Sequence, residues 1–210
     1  MNSIEYIIKY LNELFPDPKC ELVYNNDYEL LIAVVLSAQT TDKKVNKVTY
    51  VLFNKYPSLT ALKEAPINDL RALLKPLGMY NKKALFVKHL ASELIDKYDG
   101  VVPDDRASLE SLSGVGRKTA NVVLAVLFNK PYIAVDTHVA RVSKRLGLVS
   151  KQDNTLQIEK TLSRLIDDNS LAKAHLQLVL FGRYYCMAKK PRCINCKLKK
   201  ICKYEKKHFI

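Results

Sequence analysis

The stretch LSGVGRKTANVVL, residues Leu112 to Leu124, places two glycines and two cations ahead of a mainly apolar run. Gly114 and Gly116 permit the positive φ angles and close backbone approach of a tight turn between two helices. The exposed amides of such a turn can cradle a phosphate. A plain helical hairpin has a similar sequence, so the turn alone indicates either a structural element or a DNA backbone contact.

Arg117 and Lys118 fall in the first turn of the helix that follows this hairpin. The positive end of a helix dipole disfavours an added cation, so the position is a poor one for structure alone. An uncharged lysine amine is a nucleophile that can form a Schiff base with a sugar carbon. The stretch therefore indicates either a phosphate contact or a catalytic amine at Lys118.

A candidate carboxylate follows in YIAVDTHVARVSKRLG, where Asp136 precedes a helical pattern. An Asp at this position is most often an N-cap that accepts a backbone N–H. A capping carboxylate is also held rigidly, so the capping and the catalytic interpretations of Asp136 are compatible. His138 is interpreted as a helix-surface residue or a phosphate contact.

Apolar residues recur with helical periodicity along the chain, and alternating strand patterns are nearly absent. Turns rich in Pro, Gly, Asn and Asp separate the periodic segments, and no low-complexity linker divides the chain. The sequence therefore predicts an all-α fold. Helices are predicted near residues 3–15, 27–37, 42–55, 59–64, 67–74, 80–97, 107–111, 117–128, 137–146, 154–167 and 171–185.

The charge balance points to a polyanionic partner. The 210 residues carry 34 Lys and Arg against 21 Asp and Glu, a net charge of +13, which favours association with nucleic acid. Basic residues concentrate between Arg183 and Lys207, where Glu205 is the single acid. The apolar runs are too short to cross a bilayer and the N-terminal pattern is that of a surface helix, so we expect a cytoplasmic, nucleoid-associated protein.

Four cysteines cluster near the C-terminus in the spacing C-x6-C-x2-C-x5-C, whereas Cys20 stands apart. Cytoplasmic cysteines stay reduced, so four thiolates around a soft metal are expected rather than disulfides. Zinc and an iron–sulfur cluster both accept four sulfurs, and the spacing alone leaves the choice open. The metal would staple a segment with little core of its own, formed around Cys186, Cys193, Cys196 and Cys202.

Together these motifs resemble the endonuclease III family of DNA repair glycosylases. The resemblance rests on LSGVGRKTANVVL, VDTHVARV and the cysteine spacing, and also on LLIAVVLSAQTTDKKVN and LGMYNKKA, in the family's order over nearly the full chain. One departure is Ser113, where the family hairpin usually has proline; serine predicts a turn that is still possible but less rigid.

The resemblance implies a bifunctional glycosylase and AP lyase that removes oxidised pyrimidines from damaged double-stranded DNA. Lys118 would attack C1′ and form a Schiff base that permits β-elimination, while Asp136 assists glycosidic cleavage. The metal would be a 4Fe-4S cluster on the four cysteines, with zinc the less favoured choice. The protein would act as a monomer.

The family fold implies a helix-hairpin-helix glycosylase with two domains and a cleft between them. Residues 23–132 would form a helical barrel, and residues 1–22 and 133–210 a discontinuous cluster domain. Gln39 and Met79 occupy the positions of residues that fill the gap left by a flipped base. Other implied DNA contacts are Gly114, Gly116, Arg117, His138, Lys189 and Lys190.

Two other functions are also compatible with the sequence. An adenine-mispair glycosylase of the same superfamily shares the hairpin and the cysteines, but typically lacks a lysine at position 118 and carries an extra C-terminal domain. A non-enzymatic, metal-stapled DNA-binding module would use Lys118 only as a phosphate contact.

Overall fold

The computed structural model describes residues 3–208, which form α-helices, two short 3-10 helices and no strand. This confirms the all-α prediction. Within this range no helix is long and apolar enough to cross a membrane. The α-helices are α1 Ser3–Leu14, α2 Asp27–Leu36, α3 Asp42–Lys55, α4 Leu59–Glu64, α5 Ile67–Leu74, α6 Tyr80–Tyr98, α7 Arg106–Glu110, α8 Arg117–Leu127, α9 Thr137–Leu146, α10 Thr155–Leu165 and α11 Asp168–Tyr184; the 3-10 helices are Lys197–Lys200 and Glu205–His208.

The helices pack into two compact units. The central unit, Cys20–Phe128, contains α2 to α8, and the terminal unit combines Met1–Lys19 with Asn129–Ile210 and contains α1, α9, α10, α11 and both 3-10 helices. A barrel domain over residues 23–132 and a cluster domain over 1–22 and 133–210 stay predictions about functional domains.

Helix α2 forms the centre of the central unit. Every residue from Glu29 to Leu36 is buried, as expected for a helix that is apolar on all sides. The helix packs against α3, α6 and α8. Its one buried acid is satisfied, because Glu29 Oε2 accepts hydrogen bonds from the backbone N–H and the side-chain amide of Asn25 at 2.8 and 3.0 Å.

The terminal unit has its own apolar core, in which α11 packs against α1 and α9. Ile7 and Leu11 of α1 and Phe181 of α11 are almost completely buried within it. Leu198, from the 3-10 helix Lys197–Lys200, is buried in the same core. That contact connects the cysteine-rich segment, Cys186 to Cys202, to the helices of the unit.

Most predicted helix limits agree with the structure to within one residue. The larger differences are at α10 and α11, predicted as 154–167 and 171–185. Asn154 is the N-cap of α10 rather than a helical residue, and forms a capping box with Gln157. Helix α11 begins earlier than its apolar periodicity indicates, because Asp167 caps it through a hydrogen bond from the Asn169 N–H.

Candidate active site

The glycine hairpin of the central unit joins α7 to α8. Gly114 has φ +81°, and a Cβ at this position would lie 2.7 Å from Cγ of Phe86. Both the backbone conformation and the contact with Phe86 therefore require glycine. The ring of Phe86 sets how closely the hairpin lies on α6.

Gly116 differs from the expectation. It has φ −103°, so the predicted positive φ holds for Gly114 and is wrong for Gly116. A Cβ on Gly116 would have no atom within 4 Å. Gly116 is the N-cap of α8 and has no side chain to bond the first amides of the helix. An anion can therefore approach these amides closely.

Ser113 makes two hydrogen bonds that the sequence did not predict, while the lower rigidity of a serine turn stays a prediction. Its backbone N–H donates to Glu93 Oε2 at 2.7 Å, and its hydroxyl lies 3.1 Å from Oε1 of the same carboxylate. Proline could make neither bond, because it has no N–H and no hydroxyl. The carboxylate from α6 thus holds the serine hairpin by two hydrogen bonds.

Lys118 is the second residue of α8 and lies exposed after the hairpin, next to the exposed Arg117. The opposite face of α8 carries the buried Ala120, Val123 and Leu124. Packing of that face fixes the helix, so the amine of Lys118 projects from a rigid first turn.

Asp136 belongs to the terminal unit and caps α9. Its Oδ1 accepts the Val139 N–H at 2.8 Å, and its backbone is extended at φ −94°, ψ −175°. The half-buried carboxylate is therefore held in a fixed orientation. The structural role of Asp136 depends on the hydrogen bond that Oδ1 accepts. The predicted catalytic role depends on the negative charge of the carboxylate.

His138 has internal partners, which bear on its predicted DNA contact. Its Nδ1 lies 3.1 Å from Nη2 of Arg141, and Arg141 also donates to the Gly182 carbonyl at 2.7 Å. A Cβ on Gly182 would lie 2.8 Å from Cβ of His138. His138 therefore lies where α9 packs against α11, and its contact with phosphate stays a prediction.

The four clustered cysteines surround one cavity of the terminal unit. The cavity measures about 410 Å³, counting the space at its open side, and Leu146, Phe181 and Leu198 line it beside the sulfurs. Burial raises the pKa of Cys193, and the nearby sulfurs of Cys186 and Cys202 raise it further. Among residues 3–208 no three His, Cys, Asp or Glu side chains meet as ligands of a single metal ion. The sulfurs instead line the cavity wall: Cys186, Cys193, Cys196 and Cys202.

Arg145 organises the cysteine-rich segment, a role that the sequence did not reveal. From the last turn of α9 its guanidinium donates to the Met187 and Ala188 carbonyls at 2.7 and 3.2 Å, and Nη1 lies 3.4 Å from Sγ of Cys186. Its own carbonyl accepts the Lys203 N–H at 2.7 Å. In the sequence Arg145 is an ordinary basic residue at a helix C-terminus, so no signal distinguished it.

The basic residues of this segment divide into two groups. Lys189 and Lys190 are exposed, and Lys190 has a left-handed backbone with φ 49°. Lys197 instead pairs with Glu13 of α1 at 2.6 Å. The first two remain candidates for DNA contacts, whereas Lys197 joins the segment to the helices.

The two candidate gap-filling residues share an uncommon backbone conformation. Gln39 has φ 54° and Met79 φ 57°. Only a few per cent of non-glycine residues are left-handed, with Asn, Asp and His enriched among them, and such strain is often retained at functional sites. Both side chains are exposed in turns of the central unit, Gln39 after α2 and Met79 before α6.

Comparison with known proteins agrees with this geometry. Residues 32–168 match the HhH-GPD superfamily base excision DNA repair protein family. Endonuclease III of Bacillus subtilis (strain 168) is 45% identical over 97% of this chain and 93% of its own length. Endonuclease III of Escherichia coli (strain K12) is 42% identical over 96% and 95%.

A similar solved structure is described as "Structure of a Trapped Endonuclease III-DNA Covalent Intermediate: Estranged-Adenine Complex". It is 47% identical to this chain, superimposes with a TM-score of 0.93 and covers 100% of both chains. The chain belongs to the HhH-GPD superfamily of base excision DNA repair proteins. Its likeness to endonuclease III over nearly the full length confirms the predicted helix-hairpin-helix glycosylase fold and the enzyme class, DNA glycosylase and AP lyase. Neither alternative is favoured.

The Glu93 contact gives a first prediction. Glu93→Ala removes the acceptor of both Ser113 bonds, so we expect the free energy of unfolding to fall by about 1–3 kcal/mol and binding to duplex DNA to weaken as the hairpin loosens. Asp96→Ala is the control. Asp96 lies on α6, the helix that carries Glu93, and its substitution removes only a surface ion pair with Lys63. Urea denaturation and fluorescence anisotropy measure the two effects. Equal DNA affinity in the two variants would show that the contact does not shape the binding hairpin.

Proposed function

We propose that this protein removes oxidised pyrimidines from damaged duplex DNA and cleaves the abasic strand by β-elimination. The observation that carries the proposal is the exposed Lys118 amine on the rigid first turn of α8, directly after the glycine hairpin. Two similar structures are described as complexes of endonuclease III with DNA, one of them covalent. A covalent complex of this kind requires a protein nucleophile.

In this proposal the amine of Lys118 attacks C1′ of the damaged nucleotide. The new C–N bond forms as the bond between C1′ and the base breaks, and the base leaves with the bonding electrons and acquires a proton. Ring opening converts the adduct to a Schiff base. Loss of a C2′ proton then expels the 3′ phosphate.

Asp136 contributes charge to the same reaction. Its carboxylate stabilises the positive charge that develops on the sugar as the glycosidic bond breaks. The capping bond from the Val139 N–H holds the group in one orientation, so little reorganisation accompanies charge development.

DNA binding follows from the hairpin amides and from cations. The Gly114–Gly116 turn and Arg117 contact phosphates, Lys189 and Lys190 add backbone contacts, and His138 adds one from α9. Gln39 and Met79 fill the gap that the flipped nucleotide leaves. We place this activity in a monomeric, cytoplasmic protein at the nucleoid.

The cysteine cavity fits a 4Fe-4S cluster. Four cysteine sulfurs, with no His, Asp or Glu among the lining residues, are the donor set that such a cluster takes. When bound, the cluster supplies cross-links that order the segment carrying Lys189 and Lys190. The Arg145 bonds to the Met187 and Ala188 carbonyls shape the loop before the second cysteine.

The nucleophile is tested by covalent trapping. Borohydride should link the wild-type protein to duplex DNA holding an abasic site, because it reduces a Schiff base to a stable amine. Lys118→Ala should abolish the adduct while DNA binding persists, and Lys160→Ala, an exposed lysine of α10, should trap normally. Gel electrophoresis of the adducts decides the matter; undiminished trapping by Lys118→Ala would place the nucleophile elsewhere.

Asp136→Asn separates the cap from the charge. Asn caps helices about as well as Asp, so stability should change by less than about 0.5 kcal/mol. The loss of charge should slow base release by about a hundredfold or more. Single-turnover base release and thermal unfolding are the two measurements. A variant that is destabilised but fully active would leave Asp136 with the capping role alone.

The cofactor is tested by metal analysis. Purified protein should contain about four iron atoms and four sulfides per chain and absorb broadly in the visible range. Cys196→Ser should lose iron and unfold more readily, whereas Cys20→Ser, outside the cavity, should retain iron. Stoichiometric zinc in protein purified without exposure to oxygen would contradict the proposal.

A further inference from the structure

Lys83 is a buried lysine on α6 that the mechanism above does not use. It is 1% exposed and is one of the largest fully buried side chains among the described residues. Its ammonium donates to the Ala38 carbonyl at 2.8 Å and to Thr40 Oγ1 at 3.1 Å. Lysines are almost never fully buried without a partner, and both partners here lie in a turn of the same unit.

The two acceptors flank Gln39. The Thr40 hydroxyl also donates to the Ala38 carbonyl at 3.2 Å, so the ammonium, the hydroxyl and the carbonyl form a closed set of hydrogen bonds. These hydrogen bonds are made by the residues on either side of Gln39, whose φ is 54°. The interaction therefore compensates the cost of the left-handed conformation and leaves the Gln39 side chain exposed.

The backbone of Lys83 bonds the second turn. Its N–H donates to the Met79 carbonyl at 3.0 Å, which closes the first turn of α6 on a residue with φ 57°. Met79 is 47% exposed. One residue is thus hydrogen-bonded through its side chain to the Gln39 turn and through its backbone to the Met79 turn.

Burial of this charge is costly. Desolvation lowers the pKa of Lys83, and the nearby charge of Lys44 lowers it further. An apolar side chain would avoid that cost, but it could not bond the turn. A lysine at position 83 therefore lowers the stability of the fold but defines the geometry of the Gln39 turn.

We propose that Lys83 is a positioning residue that fixes the Gln39 and Met79 turns relative to each other, so that both side chains enter the DNA together when a nucleotide is flipped. This inference rests on the proposed function. In this proposal the buried Lys83 side chain contacts neither the damaged base nor the sugar. It acts through Gln39, and its loss should matter only as far as Gln39 itself matters.

Lys88 provides a matched control on the same helix. Its ammonium donates to the Lys63 and Ala65 carbonyls, both at 2.7 Å, and so fastens the turn between α4 and α5. Lys83→Met and Lys88→Met each remove two such bonds. Only Lys83→Met removes bonds to a turn that carries a residue proposed to enter the DNA.

The experiment measures single-turnover base release from a duplex carrying one thymine glycol. Lys83→Met should lower the rate about tenfold or more, the scale expected for displacement of a positioning group. Thr40→Val, which leaves the lysine in place, should also lower the rate of base release, but by a smaller factor than Lys83→Met. Lys88→Met should retain the wild-type rate, at a temperature where all variants are folded. Equal losses in Lys83→Met and Lys88→Met would overturn the inference.

A double-mutant cycle separates positioning from general destabilisation. Gln39→Ala should itself slow base release, and adding Lys83→Met to it should cause little further loss, because the group being positioned is already absent. Adding Lys88→Met should change the Gln39→Ala rate as little as it changes the wild-type rate. Full additivity of Lys83→Met and Gln39→Ala, or an unaffected Gln39→Ala, would overturn the inference.

Borohydride trapping by the wild-type protein distinguishes this inference from the proposed function. If the wild-type protein traps DNA and the cycle is additive, the function stands and Lys83 has only a structural role. If the wild-type protein neither traps DNA nor releases the base, the proposed function itself fails, and with it the role of Lys83.

Discussion

The contact between Gly114 and Phe86 is the constraint on which the position of helix α8 depends. A side chain at Gly114 would meet the ring of Phe86 at 2.7 Å, and the backbone there is left-handed. Glycine thus allows the hairpin to lie against α6 while the chain turns into α8. Because α8 is packed by its apolar face, the hairpin conformation fixes where Lys118 leaves the helix.

Long polar side chains from helices hold three of the turns and loops of this protein. Glu93 bonds the Ser113 turn, Lys83 bonds the Gln39 turn, and Arg145 bonds the loop before the second cysteine. Turns of this kind bury too little apolar surface to define their own conformation. Charged groups with several hydrogen-bonding positions can define it, at the cost of their desolvation.

The cysteine-rich segment shows the same principle with a different stabilising agent. Leu198 buries itself in the terminal core and Lys197 pairs with Glu13, but the residues between Cys186 and Cys196 are mostly exposed. Such a segment gains little free energy from apolar burial. Arg145 supplies part of the missing order, and four sulfurs around a cavity offer a cross-link for the rest.

Much of the fold could be predicted from the residues. Apolar periodicity and capping residues are local signals, so the helices and the all-α class followed from sequence, as did the Asp136 cap and the grouping of the four cysteines. The resemblance of five motifs to a repair family supplied the enzyme class and the candidate roles of Lys118, Gln39 and Met79. The positive φ expected for Gly116 was wrong, because this residue is the extended N-cap of α8. The bonds from Ser113 to Glu93 were not predicted, because they depend on the packing of the hairpin against α6.

The sequence by itself determined the helices, the positive charge and the spacing of the chemically active residues, because these depend on neighbours a few positions apart. Tertiary structure alone decided which polar groups meet. Lys83 and Ala38 are far apart in the chain yet lie 2.8 Å apart in space, and no periodic pattern marks such a pair. Hydrogen bonds between distant residues require helices already packed in place, so the partners that hold these turns become visible only in the folded protein.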